Sequence, residues 1–108
     1  MEVHQLIRAL EYVSKEVTGE ATLITLLTFL LVARRGACLQ KDIELELKMS
    51  AAAASRNVSY WTERRSDGNP GVGFIERVED HCDRRLRNLS LTRRGRRFYK
   101  ELQELMKT

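Results

Sequence analysis

The chain has 108 residues, 43% apolar and 31% charged, which fits a single globular domain spanning 1–108 with a compact core and excludes a wholly disordered polymer. Its apolar run 23–32 is well short of the ~20 residues that cross a bilayer, so no membrane partner is expected. The net charge of +4 is concentrated: residues 1–36 carry four bases against four acids, 37–71 five against five, and 72–108 ten against six. Such a distribution is the footprint of a polyanion binder, with a merely solvated face as the plainer alternative.

The amino terminus has no basic stretch ahead of an apolar one, so no secretory signal is visible and a cytoplasmic location is expected. Cys38 and Cys82 form neither a CxxC nor a metal-ligand spacing and are expected as free thiols. His4 and His81 are too few and too far apart to argue for a metal. There is no phosphate-binding glycine loop, nucleophile elbow or paired-carboxylate pocket, so neither enzyme activity nor a cofactor is expected.

In chain order, Val3, Leu6, Ile7, Leu10, Val13 and Val17 recur at steps of three and four, which predicts an amphipathic helix over 3–17 stopped by Thr18-Gly19. Thr22 is placed to cap a second helix to about residue 35, apolar nearly all round and thus the central post of the core. Gly36 ends it, with Arg34 and Arg35 favourably placed at the negative end of the dipole. Residues 37–39 are too short for an independent strand but suit a third strand beside a hairpin. Residues 40–48 make a short helix with Ile43 and Leu47 inward, residues 49–50 a turn with Ser50 as N-cap, and residues 51–64 a second helix with Ala51, Ala54, Val58 and Trp61 on one face. Two short helices joined by a tight turn fit a helix-turn-helix. The polar cluster 66–71 is a turn. Residues 74–79 and 87–91 read as strands around a turn at 80–85, and residues 93–106 as a final helix aligning Phe98, Leu102 and Leu105.

The last third carries the charge. Residues 84–100 hold seven arginines, one lysine and no acid, on a strand (Leu89 and Leu91 inward) that turns at Thr92 into the final helix. Arg93, Arg94, Arg96 and Arg97 oppose the helix dipole, so a compensating anion such as backbone phosphate is expected, with Arg93 and Arg94 as contacts; acids of the first helix across a dimer seam are the alternative.

These residues resemble the MarR-type winged helix-turn-helix regulators. Asp83-x-Arg85 followed by Leu91-Thr92 and Gly95 is similar to that family's wing-to-helix signature, and Gly73-Phe74-Ile75-Glu76-Arg77 to the opening of its wing. The resemblance covers roughly residues 37–108. It implies an α+β fold, mainly helical, with a two- to three-stranded β-wing. It also implies a double-stranded DNA partner, with Arg85 entering a minor groove while Asp83 orients it. Two departures stand out: relatives usually carry a further C-terminal helix, and the link between Trp61 and Gly73 is longer than theirs.

The recognition-helix candidates are Ser50, Ala53, Ser55, Arg56, Asn57 and Tyr60. Small residues admit close approach, Arg56 suits guanine and Asn57 adenine, and Ser50, Ser59 and Tyr60 suit phosphates. For Ala51 and Ala54, helix propensity and packing are the better explanation. The wing candidates are Asp83, Arg84, Arg85 and Arg87, with a solvated tip paired to Glu79, Asp80 and Asp83 as the plainer reading. Cys82, beside His81 and near Arg84, is the better placed thiol for redox sensing. The expectation is a sequence-specific transcriptional repressor acting as a homodimer through helices 3–17 and 93–106. A winged-helix module that binds an acidic protein partner is the alternative.

Overall fold

The computed structural model describes residues 2–17, 21–65 and 68–107. Thr18, Gly19, Ser66 and Asp67, expected in turns, lie outside the described residues. Among the described residues, five helices and one three-stranded antiparallel sheet follow in the order α1 (Val3–Glu16), α2 (Leu23–Arg35), β1 (Ala37–Leu39), α3 (Gln40–Leu47), α4 (Ala51–Trp61), β2 (Ile75–Glu79), β3 (Arg87–Leu91) and α5 (Arg93–Leu105). The fold is therefore α+β and mainly helical, with β1 the third strand: the order is β1-β3-β2, Cys38 opposite Leu89 and Arg77 also opposite Leu89 from the other side. None of the described helices is long and apolar enough to cross a membrane.

Local chemistry sets three helix starts. The hydroxyls of Thr22, Ser50 and Thr92 accept the backbone N–H groups of Thr25, Ala53 and Gly95 at 3.2, 3.1 and 3.1 Å, each satisfying an otherwise orphaned donor. In the turn of the helix-turn-helix, Lys48 adopts a left-handed conformation (φ 52°, ψ 51°) and the Met49 N–H donates to the Glu44 carbonyl.

The core is aromatic and centred on α2. The Phe29 ring lies 4.8 Å from Trp61, 6.0 Å from Phe74 and 5.4 Å from Phe98, and Phe74 and Phe98 are 4.8 Å apart. Trp61 is fully buried, yet its indole N–H is satisfied because it donates to the Thr25 carbonyl at 2.8 Å. Around this cluster Val32, Ile43, Val58, Ile75 and Leu89 are buried. Tyr12 stacks on Phe98 at 5.3 Å, joining α1 to α5.

Three expectations are revised. The helix predicted over 51–64 stops at Trp61, because residues returning from the long link capture its final carbonyls: Val72, Phe74 and Gly73 donate to Tyr60, Trp61 and Thr62. The described ends of that link, residues 62–65 and 68–73, pair as a small ribbon through an Arg64–Pro70 bridge, and a Cβ at Gly71 would lie 2.0 Å from the Thr62 carbonyl oxygen. Ala51, expected inward, is exposed, since it sits in the first turn, beyond the reach of α2. In α1 the buried positions are Gln5, Ala9 and Val13, with Val17 just beyond, while Val3, Leu6, Ile7 and Leu10 face outward. Gln5 is buried because its amide donates to the Lys107 carbonyl at 2.9 Å.

The Thr92–Gly95 spacing has a steric reason. Thr92 caps α5 while its hydroxyl donates to the Gly73 carbonyl at 2.7 Å, which draws the first turn of α5 onto the backbone before β2. A Cβ at Gly95 would lie 2.1 Å from the Phe74 carbonyl oxygen, so only glycine fits without movement. Gly95→Ala is expected to destabilise the protein by about 1–3 kcal/mol, as overpacking does, read as a lowered urea midpoint with unchanged slope.

Candidate nucleic-acid interface

Helix α4 presents its exposed side through Ala51, Ala52 and Arg56, with Ala53 half-buried beside them. Ser50 is exposed at its start, where its hydroxyl caps the helix. Arg56 forms no hydrogen bond or ion pair among the described residues, so its five donors face solvent. Ala52 was not singled out by sequence; an alanine run gives no signal of which methyl points outward until the packed face is known.

The other polar residues of α4 are engaged inward. Asn57 is half-buried: its Oδ1 accepts the Thr25 hydroxyl at 2.9 Å and its Nδ2 donates to the Ala53 carbonyl at 2.9 Å. Both ends of the amide that adenine reading needs are thus committed to joining α4 to α2. Ser55 turns toward the sheet, and Ser59 is buried and accepts Arg77 Nη2 at 2.7 Å. Tyr60 lies edge-on to Trp61 at 5.2 Å with the Arg65 guanidinium 5.8 Å over its ring. Ten residues past Ser50, it is about 15 Å along the helix from the small-residue start. The structure therefore brings together Ser50, Ala53 and Arg56, and sets Ser55, Asn57, Ser59 and Tyr60 apart.

The wing tip is an ordered cation. Asp83 Oδ1 accepts both the Arg85 backbone N–H and Nε at 3.0 Å, and its Oδ2 accepts Nη2 at 2.9 Å, although the Arg85 side chain is 88% exposed. An exposed pair contributes little to folding, so the two-pronged bond acts as an orienting device. Asp80 holds the turn from beneath, accepting the N–H groups of Cys82 and Asp83 and the Asn88 amide. Arg87 is directed back along the hairpin, to the Arg84 carbonyl and Glu79, while the Arg84 side chain is exposed. The tip faces α3 across a groove lined by Gln40, Lys41 and Glu44. Cys82 is exposed on the tip, whereas Cys38 is half-buried in β1, where burial and then the Asp42 charge push its thiol up. Among the described residues no three His, Cys, Asp or Glu side chains gather as a metal site.

At the opposite end of the hairpin, Arg93 and Arg94 line an open groove of about 630 Å³ with Arg64, Arg77, Glu63 and Glu76. The Arg94 guanidinium lies 5.5 Å over the Phe74 ring, and Arg96 donates to the Leu91 carbonyl at 2.9 Å.

The hydrogen bonds at the tip hold the carboxyls of Asp80 and Asp83 below the usual range: the Asn88 amide first for Asp80, the Arg85 side chain first for Asp83. A group with a depressed folded pKa contributes above its unfolded value, near ~3.9, and the contribution is lost as pH falls through the folded value. The tip is therefore expected to stay intact down through pH ~4 and to loosen below it. The backbone amides of Cys82, Asp83 and Arg85 would report this as a joint NMR shift change; a titration centred at or above the ordinary carboxylate value would contradict it.

No protein-family model matches this chain, and no curated protein does. Solved structures match over nearly its whole length. The YusO protein from Bacillus subtilis is 19% identical with a TM-score of 0.67 (96% of this chain, 66% of that one), and MarR is 21% identical with a TM-score of 0.66 (95% and 70%). MepR of S. aureus, solved as a DNA complex, is 16% identical with a TM-score of 0.72 (95% and 77%). The chain thus spans about two thirds to three quarters of the lengths of these proteins. Helices, three-stranded sheet and wing agree with them in order and arrangement: the chain is folded as a MarR-type winged helix-turn-helix.

Proposed function

We propose that this protein is a sequence-specific double-stranded DNA-binding transcriptional regulator that acts as a homodimer and represses by occluding a promoter. The observation that carries the reading is a pair of exposed arginines on two ordered projections: Arg56 on α4 and Arg85 at the wing tip, the latter held in place by Asp83. A helix with alanines around Arg56 suits the major groove, and an oriented arginine on a narrow ribbon suits the minor groove, where the potential is most negative. The solution of MepR as a DNA complex supports the same use of the fold. Ser50 and Ala53 accompany Arg56 in this proposal, Arg84 accompanies Arg85, and Arg93 and Arg94 supply phosphate contacts from the base of the wing.

The homodimer reading is supported by α1. In a helix whose strongest apolar stripe faces outward, Ile7 is 52% and Leu10 46% exposed, and Val3 and Leu6 continue the stripe. Leu6 and Leu10 also border an open apolar groove with Leu26, Leu30, Tyr99 and Met106. A second copy would cover this surface, whereas the Phe98 and Leu102 face of α5 is already buried within one chain.

Arg56→Ala is expected to weaken binding by roughly 1–3 kcal/mol and to relax preference at one base position, read by selecting bound duplexes from a random pool; intact discrimination would remove α4 as the reading element. Arg94→Ala is expected to weaken all sequences alike and flatten the salt slope by about one. Ile7→Glu with Leu10→Glu is expected to convert a dimer to a folded monomer by light scattering, with unchanged helical circular dichroism.

A further inference from the structure

Arg77 is a partly buried charge held by neutral hydrogen-bond partners among the described residues. It lies in the middle of β2 and sends its guanidinium into the helix-turn-helix. Nη1 donates to Gln40 Oε1 at 3.0 Å, at the first residue of α3, and lies 3.3 Å from the Ser55 carbonyl oxygen; Nη2 donates to Ser59 Oγ at 2.7 Å in α4. It forms no ion pair among the described residues. Burial, and then the nearby charge of Arg87, lower its pKa.

Each acceptor hydrogen-bonded to Arg77 among the described residues is neutral, so no direct ion pair explains its placement. What the guanidinium supplies is shape: a rigid planar fork that ties the strand carrying it to two helices at fixed angles. Burying a charge against neutral partners is a poor route to stability, and an apolar side chain would fill the same interior position at lower cost. The arrangement makes sense if the angle between the three elements matters. The tip that carries Arg85 lies beyond the far end of the strand, so a small change of pitch at Arg77 is magnified there.

We propose that Arg77 is a positioning residue that sets the pitch of the wing against α4, and so the phase in which Arg85 and Arg56 meet a duplex. The inference rests on the DNA-binding reading above, and the test separates the two. Binding of a duplex selected from a random pool by the unmodified protein is measured for Arg85→Ala, Arg77→Met and the double variant. In the unmodified background Arg85→Ala is expected to weaken binding about tenfold. In the Arg77→Met background the same change should weaken it less than about twofold, a coupling that a general loss of stability would not produce. Arg56→Ala keeps its full effect in both backgrounds. Equal effects of Arg85→Ala in the two backgrounds would overturn the proposal. Arg77→Lys, which keeps the charge but lacks the fork, is expected to behave like Arg77→Met and replaces it if the latter does not fold.

A second measurement needs no DNA. With Cys38→Ser and Ala52→Cys, spin labels at Cys82 and position 52 report the distance from wing tip to α4. The distribution is expected to broaden or shift when Arg77 is replaced by Met or Lys, and an unchanged distribution would overturn the proposal. If the unmodified protein binds no duplex, the DNA-binding reading fails and this distance alone decides the role of Arg77.

Discussion

The structure depends on the burial of Trp61. Its indole packs in one cluster with Phe29 of α2 and Phe74 at the start of the wing. A ring of this size is tolerable in a dry interior only if its N–H is satisfied, and the Thr25 carbonyl accepts it. That bond fixes the last turn of α4 against the first turn of α2. The Trp61 carbonyl then accepts Phe74 N–H at 2.7 Å, so the residue that anchors the helix also launches the wing. Helix α4 and the hairpin therefore share one buried reference point, and Arg56 and Arg85 are placed relative to it.

Much of this was legible because it is local. Caps at Thr22, Ser50 and Thr92 need only a hydroxyl and a nearby N–H, and the alternation of Leu89 and Leu91 needs only a two-residue period. The third strand was legible as a possibility and became definite through its register with β3. The end of α4 was not legible, because residues 72–74, ten or so positions downstream, compete for its carbonyls. The outward turn of the α1 stripe was not legible either: periodicity shows that an apolar face exists but not whether its partner lies within the same chain.

At the site, the exposed cations were readable and the engaged polar groups were not. Arg56 and Arg85 are arginines with small or turn-forming neighbours, which is a sequence-level signal. Asn57 looks the same in sequence, yet Thr25, thirty-two residues earlier, supplies the hydroxyl that occupies its carbonyl oxygen. Arg77 was visible only as part of a resemblance. An arginine two residues after a buried Ile75 lies on the inward face of a strand, and that parity is the clue a sequence reader could have used.

The ribbon between α4 and β2 has a consequence of its own. Its base is sealed by bonds from Gly71, Val72, Gly73 and Phe74 to Glu63, Tyr60, Thr62 and Trp61, so the wing begins from a fixed point. The spacing of α4 and β2 is thus set by backbone bonds at the base of the ribbon, independently of any side chain there.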